Sequence, residues 1–290
     1  MVKAKNSRAG DMIVVAICVF LILICFLPVW NVFVRSLSSP AALVRSDVYL
    51  WPKELDFTAY SLVLKDAEYT WALAWTAMLT VGCTILSMVL TTLCAFPLVF
   101  DKLKGRKLIN GLILVTMYFN AGTIPSYILF KNLNLINSPL VMVLPYSLSV
   151  FNMIIMRTFL QNIPVSLRES AEIDGANPFR ILFAIYLPLS TSVIATLSLF
   201  YAVGRWNGYS DALMFMNRNK TYYPIQLLLY FIIQSKESVD AATQEGFSSP
   251  GASDAIKAAT VMIATIPILM VYPWLQRFFI HGVTLGAMKG

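Results

Sequence analysis

Long apolar runs separated by polar intervals dominate the chain. Runs at about 13–34, 71–100, 108–130, 139–157, 185–204 and 255–277 each approach or exceed the roughly 20 residues a helix needs to cross about 30 Å of hydrocarbon. The pattern predicts an all-α integral membrane protein of about six transmembrane helices in a single domain, 1–290. The polar intervals differ in length. Those at 36–70 and 205–254 are long, 101–107 and 131–138 are short, and 159–184 is intermediate. The first run follows Lys3, Lys5 and Arg8, as a signal peptide would. It is too long for one, however, and Asn31-Val32-Phe33-Val34-Arg35 is not a small-residue cleavage site, so an uncleaved helix is expected.

Composition removes the soluble alternative. The chain is 58% hydrophobic and 13% charged, with a mean hydropathy of +0.70. A soluble domain carries roughly 45–50% apolar and about 25% charged residues. The net charge of +7 does not indicate nucleic-acid binding, because the cations sit in the gaps between apolar runs. Lys102, Lys104, Arg106 and Lys107 crowd one short turn, which places that turn on the cytoplasmic side. Both termini and 159–184 are then cytoplasmic, and 36–70, 131–138 and 205–254 are outside. Cys18, Cys25, Cys83 and Cys94 all lie in apolar runs without CxxC spacing and read as small hydrophobes. With one histidine, no H-E-x-x-H and no Gly-Lys dipeptide, the chain lacks the groups of an intramembrane metalloenzyme and a P-loop.

The segment 164–188 is more than connective. Pro164 and Ser166 suit a helix start, and Arg168 to Ile173 are mostly good helix formers. Gly175 can take the left-handed conformation that ends a helix, and Asn177-Pro178 can cap and open the next. Leu167, Ala171 and Asp174 share one face at i, i+4 and i+7, and Glu169 and Glu172 share another. A loop lying on headgroups would carry cations on its polar face. Here Glu169, Glu172 and Asp174 stand against Arg168 alone, which favours docking to a cytosolic partner. An assembly protein would have no use for such an elbow.

These residues resemble a known family. Glu169-Ser170-Ala171-x-x-Asp174-Gly175-Ala176, followed by Leu187-Pro188-Leu189, is similar to the EAA loop of ABC-importer permeases, with Ser170 in place of the first alanine. A proline often found after Leu-Pro-Leu is replaced by the Ser190-Thr191-Ser192 stretch. Phe119 to Tyr127, Leu135-Ile136-Asn137-Ser138, Trp206-Asn207 and Tyr223-Pro224-Ile225-Gln226 resemble the carbohydrate-uptake branch, and within it the second permease subunit. The tail His281 to Gly290 is similar to tails of a subgroup importing complex oligosaccharides. The resemblance implies a type I importer permease in the bacterial cell membrane, working by alternating access. It implies a second permease subunit, two cytoplasmic ATPase domains and an extracytoplasmic solute-binding protein. Glu169, Ser170, Ala171, Asp174, Gly175 and Ala176 would couple to the ATPase. No cofactor is expected in this chain, since the partner ATPase would bind ATP and Mg. The implied solute is an oligosaccharide, with a sugar phosphate or another polar organic solute as the alternative.

A sugar path needs aromatic faces for rings and amides for hydroxyls. Candidates at or near the spans are Asn152, Trp206, Asn207, Tyr118, Asn120, Tyr209 and Gln226. Each has a structural alternative, since aromatics gather at membrane interfaces and amides bond between helices. Asn152 stands out, because an amide in the middle of the fourth run is costly unless paired or facing a cavity.

Overall fold

A computed structural model describes residues 8–101, 103–234 and 250–287. Lys102 of the basic turn, 235–249 of the expected outer loop and 288–290 of the tail lie outside them. The described helices are α1 (Arg8–Ser36), α2 (Pro40–Val44), α3 (Thr58–Lys65), α4 (Ala67–Ala95), α5 (Arg106–Tyr118), α6 (Thr123–Asn132) and α7 (Val150–Gln161). They continue as α8 (Val165–Ile173), α9 (Pro178–Leu189), α10 (Thr191–Trp206), α11 (Ser210–Phe215), α12 (Ile225–Gln234) and α13 (Pro250–Ala287). Among the described residues the only extended pairing is an isolated bridge, Ser38 to Leu55.

Among the described residues, three stretches are helical, long and apolar enough to span: Gly10–Ser36, Ala67–Val99 and Gly251–Val271. The third and fifth apolar runs are each two helices. α5 and α6 meet at 112°, and α9 and α10 at 84°. The first break has local causes. Gly122 takes φ 90°, the Asn120 side chain accepts a hydrogen bond from the Gly122 N–H at 2.9 Å, and Pro125 has no N–H to give α6. The fourth run also differs from the sequence expectation. Pro139–Met142 is a short 3₁₀ turn, an irregular stretch follows through Pro145, and helix begins only at Val150, where Ser149 Oγ accepts from the Asn152 N–H at 3.3 Å. Asn152 therefore sits in the first turn of a helix rather than at mid-span. Hydropathy reports an average over a run, so it does not register these interruptions.

The chain forms two compact units, 1–70 with 229–266 and 71–228 with 267–290. In the first, the end of α1 is tied to the following loop by Trp30 Nε1 donating to the Leu50 carbonyl at 2.8 Å and Asn31 Nδ2 to that of Tyr49 at 3.1 Å. Ser36 and Tyr60 share a hydrogen bond at 2.7 Å, and Arg35 pairs with Asp254 at 2.6 Å. Ala59 meets Ala255 and Ala259 between α3 and α13, and beside them Gly251 lies against the Pro40 backbone.

In the second unit α4 buries a stripe of mostly small residues, including Ala72, Thr76, Thr80, Cys83, Ser87, Thr91 and Ala95. Met78, Val81, Ile85, Val89 and Leu93 point outward. Lipid is as apolar as leucine, so it gives no drive to bury large side chains, and small ones let helices approach. Thr76 Oγ1 accepts from the Ile225 N–H at 2.8 Å, and Trp71 Nε1 donates to the Thr221 carbonyl at 2.7 Å. Asn137, at φ 61°, donates its N–H to the Phe215 carbonyl and accepts from the Arg218 N–H, holding the turn after α11. The main core gathers Phe96, Leu98, Met153, Met156, Leu160, Ile181, Tyr186 and Leu197.

The close approach of α13 to α2 yields a test. A Cβ on Gly251 would land on the Pro40 carbonyl oxygen. Gly251→Ala is expected to destabilise by about 1–3 kcal/mol through overpacking. Thermal unfolding of the purified protein should show a lowered midpoint, whereas Lys257→Ala on the same helix should leave it in place.

Candidate functional site

The second unit presents two features with functional geometry, an exposed elbow and a cavity lined by rings and hydroxyls, joined by α7 and α10. The elbow is built by local signals. α8 ends with the Gly175 N–H donating to the Glu172 carbonyl at 3.1 Å and the Ala176 N–H to that of Ala171 at 2.9 Å. With Gly175 at φ 76°, this is a Schellman termination, and it requires a residue tolerant of the left-handed region. Asn177 Oδ1 then accepts from the Arg180 N–H at 2.8 Å and Pro178 occupies the first helical position, opening α9. Within α9 one π turn spans Leu182–Tyr186.

The residues expected to couple divide by exposure. Ala171 and Ala176 pack against the main core, so their smallness lets the elbow sit close to the body. The Arg168 guanidinium lies 5.0 Å from the Phe100 ring centroid and 3.4 Å from Glu172. Glu169, Ser170, Asp174 and Gly175 face outward. So do two bulky residues that sequence reasoning did not single out, Ile173 at 86% exposure and Phe179 at 67%. Their signal was present: large apolar side chains inside an otherwise polar loop. The result is an acidic surface with an apolar tip.

The cavity has a volume of about 920 Å³ and is walled by α4 (Cys83, Ser87), the irregular 142–149 stretch, the start of α7 (Phe151, Asn152), α10 (Leu199 to Arg205) and the start of α11. Its lining mixes rings, among them Tyr146, Phe151, Phe200 and Tyr201, with the hydroxyls of Ser87, Ser149 and Ser210. Tyr201 Oη shares a hydrogen bond with Thr91 at 2.6 Å and accepts from the Ser149 N–H at 3.1 Å, linking three walls. Asn152 is 5% exposed and lines the cavity. An amide so placed offers two donors and an acceptor to whatever enters.

Of the seven residues proposed from sequence for a solute path, Asn152 lines the cavity. Tyr118 and Asn120 stand exposed at the break between α5 and α6. Trp206 is buried in the last turn of α10, while Asn207 is exposed and bonds the Val203 carbonyl at 3.0 Å. Tyr209 and Gln226 are half-buried outside the lining.

Sequence reasoning missed the most strongly bonded group in the wall. Arg205 Nη1 meets Asp211 at 2.5 Å and Nη2 meets it at 3.0 Å, with both side chains more than nine-tenths buried. Arg205 also donates to the Met142 carbonyl at 3.0 Å and the Gly208 carbonyl at 3.1 Å. A Cβ on Gly208 would come within 2.9 Å of Nη2, so glycine lets the loop close over the guanidinium. The available signal was an arginine at the very end of an apolar run with an aspartate six positions on.

Comparison with known proteins agrees with the family that the sequence resembles. The family described as binding-protein-dependent transport system inner membrane component matches residues 73–285. The polygalacturonan/rhamnogalacturonan transport system permease protein YtcP of Bacillus subtilis (strain 168) is 38% identical, over 98% of this chain and 100% of its own. Protein LplC of the same organism is 34% identical, over 98% of this chain and 97% of its own. A chain from the crystal structure of a bacterial ABC transporter involved in the import of the acidic polysaccharide alginate superposes with a TM-score of 0.88. That chain is 29% identical, and the match covers 96% of this chain and 99% of that one.

The buried ion pair predicts an asymmetry. Asp211→Ala leaves a buried guanidinium without its counter-charge and should destabilise by about 3–5 kcal/mol. Replacing both members, as Arg205→Met with Asp211→Leu, should cost clearly less. Thermal unfolding of the two variants side by side measures the difference.

Proposed function

Because the chain belongs to the family of binding-protein-dependent transport system inner membrane components, we propose that it is the permease subunit of an ATP-driven oligosaccharide importer. The observation that carries this reading is Asn152, a buried carboxamide that lines a cavity of rings and hydroxyls. Aromatic faces and neutral hydrogen-bonding groups are what a carbohydrate needs from a wall. The names of the relatives point the same way, since two of them describe transport of acidic glycans.

The elbow is the energy input. An ATPase subunit would receive Glu169 and Asp174 through basic groups and the Ile173–Phe179 tip in an apolar recess. ATP and Mg are bound there, and this chain contributes no ATPase site. Closure of two ATPase domains moves the elbow. α7 and α10 both run from elbow to cavity, so the cavity walls move with it, giving alternating access. This chain supplies one side of the path and a second permease subunit the other. An extracytoplasmic binding protein delivers solute at the face opposite the basic turn 101–107.

Two variants test the parts separately. Glu169→Lys combined with Ile173→Ser should abolish uptake and binding-protein-stimulated ATPase activity in proteoliposomes, with membrane insertion unchanged. Uptake at the wild-type rate would remove the coupling assignment.

Asn152→Leu takes away the carboxamide at nearly constant volume. Stimulated ATPase activity should persist while uptake falls or changes its solute preference. A fall in thermal stability of roughly 0.6–2 kcal/mol with preference intact would instead make Asn152 a helix–helix contact.

A further inference from the structure

Among the described residues, Arg205 and Asp211 are the only formal charges in the cavity wall, and each is the other's partner. The guanidinium has four terminal N–H donors. Two go to the Asp211 carboxylate, one to the Met142 carbonyl and one to that of Gly208, so all four are used. Its remaining donor, Nε–H, has no partner among the described residues. The other lining groups that can bond a solute are neutral, among them Ser87, Ser149, Asn152 and Tyr146.

We propose that Asp211 masks the charge of Arg205, so that this wall of the path reads sugar rings and hydroxyls and is indifferent to carboxylates. The inference rests on the assignment of the cavity to the solute path. An unmasked arginine in a water-poor cavity forms forked bonds to a carboxylate that are among the strongest a protein makes. A transport path must release what it binds, so a free fork would hold back each uronate residue as it passed. Asp211 fills that fork permanently. A neutral wall then serves charged and uncharged oligosaccharides alike, and discrimination by charge falls to other components of the importer. The packing fits a held pair rather than a switch: the Gly208 loop closes directly on Nη2, and the Met142 carbonyl fixes the opposite side.

The test is equilibrium binding of trigalacturonate and of neutral galactotriose to the assembled importer in nanodiscs, without binding protein. Wild type should hold the two probes within about threefold of each other. Asp211→Asn keeps the shape of the pair but removes the mask. It should bind trigalacturonate at least about tenfold more tightly, in a salt-sensitive way, with galactotriose unchanged. Arg205→Gln with Asp211→Asn should return to the wild-type pattern, which separates unmasking from a loosened fold. A wild type that already prefers trigalacturonate tenfold, with the preference lost in Arg205→Gln, overturns the masking. So does an Asp211→Asn protein with both affinities unchanged while Asn152→Leu weakens both probes, and in that case the path assignment survives. Should neither Asp211→Asn nor Asn152→Leu alter either probe, the masking and the path assignment fall together.

Discussion

Hydrocarbon offers no hydrogen bond to a peptide group, so every interruption of a membrane helix has to be satisfied from within the protein. This chain interrupts its apolar runs at Gly122, between Pro139 and Ser149, and at Ser190, and the satisfaction of each break shapes what surrounds it. The Asn120 side chain closes the first. At the second, Ser149 caps α7 with its hydroxyl, and its own N–H is taken by Tyr201. A cavity wall of irregular backbone is affordable there only because α10 supplies that phenol. The polar lining of the cavity and the broken fourth run are therefore one feature seen from two sides.

Arg205 extends the same logic to a charge. Its guanidinium binds the 3₁₀ turn through Met142, the loop after α10 through Gly208 and the start of α11 through Asp211. Three segments without long helices are thus held at one point. A buried ion pair adds little net stability compared with a well-packed apolar substitute, because both ions lose their water. Its value here is geometric: two carbonyls and a carboxylate converge on a planar group that fixes their directions. Leucine or methionine could fill the volume but could not orient two backbone oxygens.

The elbow was legible in the sequence because its determinants are local. Gly175 at the end of α8 and Asn177-Pro178 at the start of α9 act over three or four residues, and the structure has them in those roles. The membrane class was legible from composition alone. The interior of the runs was not. A stretch such as 139–157 has the mean hydropathy of a span, yet Pro139, Pro145 and Ser149 break it, and only packing against α10 and α4 makes the break tolerable. Arg205–Asp211 was hidden for a related reason, since an arginine closing an apolar run reads equally well as a boundary marker. Its role depends on the Met142 carbonyl, 63 residues away in the chain. The outward Ile173 and Phe179 were visible as residues but not as a surface, because which faces of α8 and α9 turn inward is decided by Ala171, Ile181 and Leu182 against the distant core.

What joins the elbow to the cavity is the way α9 meets α10. The two helices form an 84° corner at Ser190, whose side chain is fully buried and whose hydroxyl has no partner among the described residues. α9 is anchored by Ile181, Leu182 and Tyr186 in the core that also receives Ala171 and Ala176 of the elbow, Met153 and Leu160 of α7 and Leu197 of α10. α10 carries Tyr201 and Arg205, which between them hold α4, the 142–149 stretch and α11. α7 gives a second, straight connection from Asn152 to the elbow, so the wall meets the elbow through two helices rather than one. On the proposed function, a displacement of the elbow would thereby be delivered to the cavity wall at two places, as a path that faces one side of the membrane at a time requires.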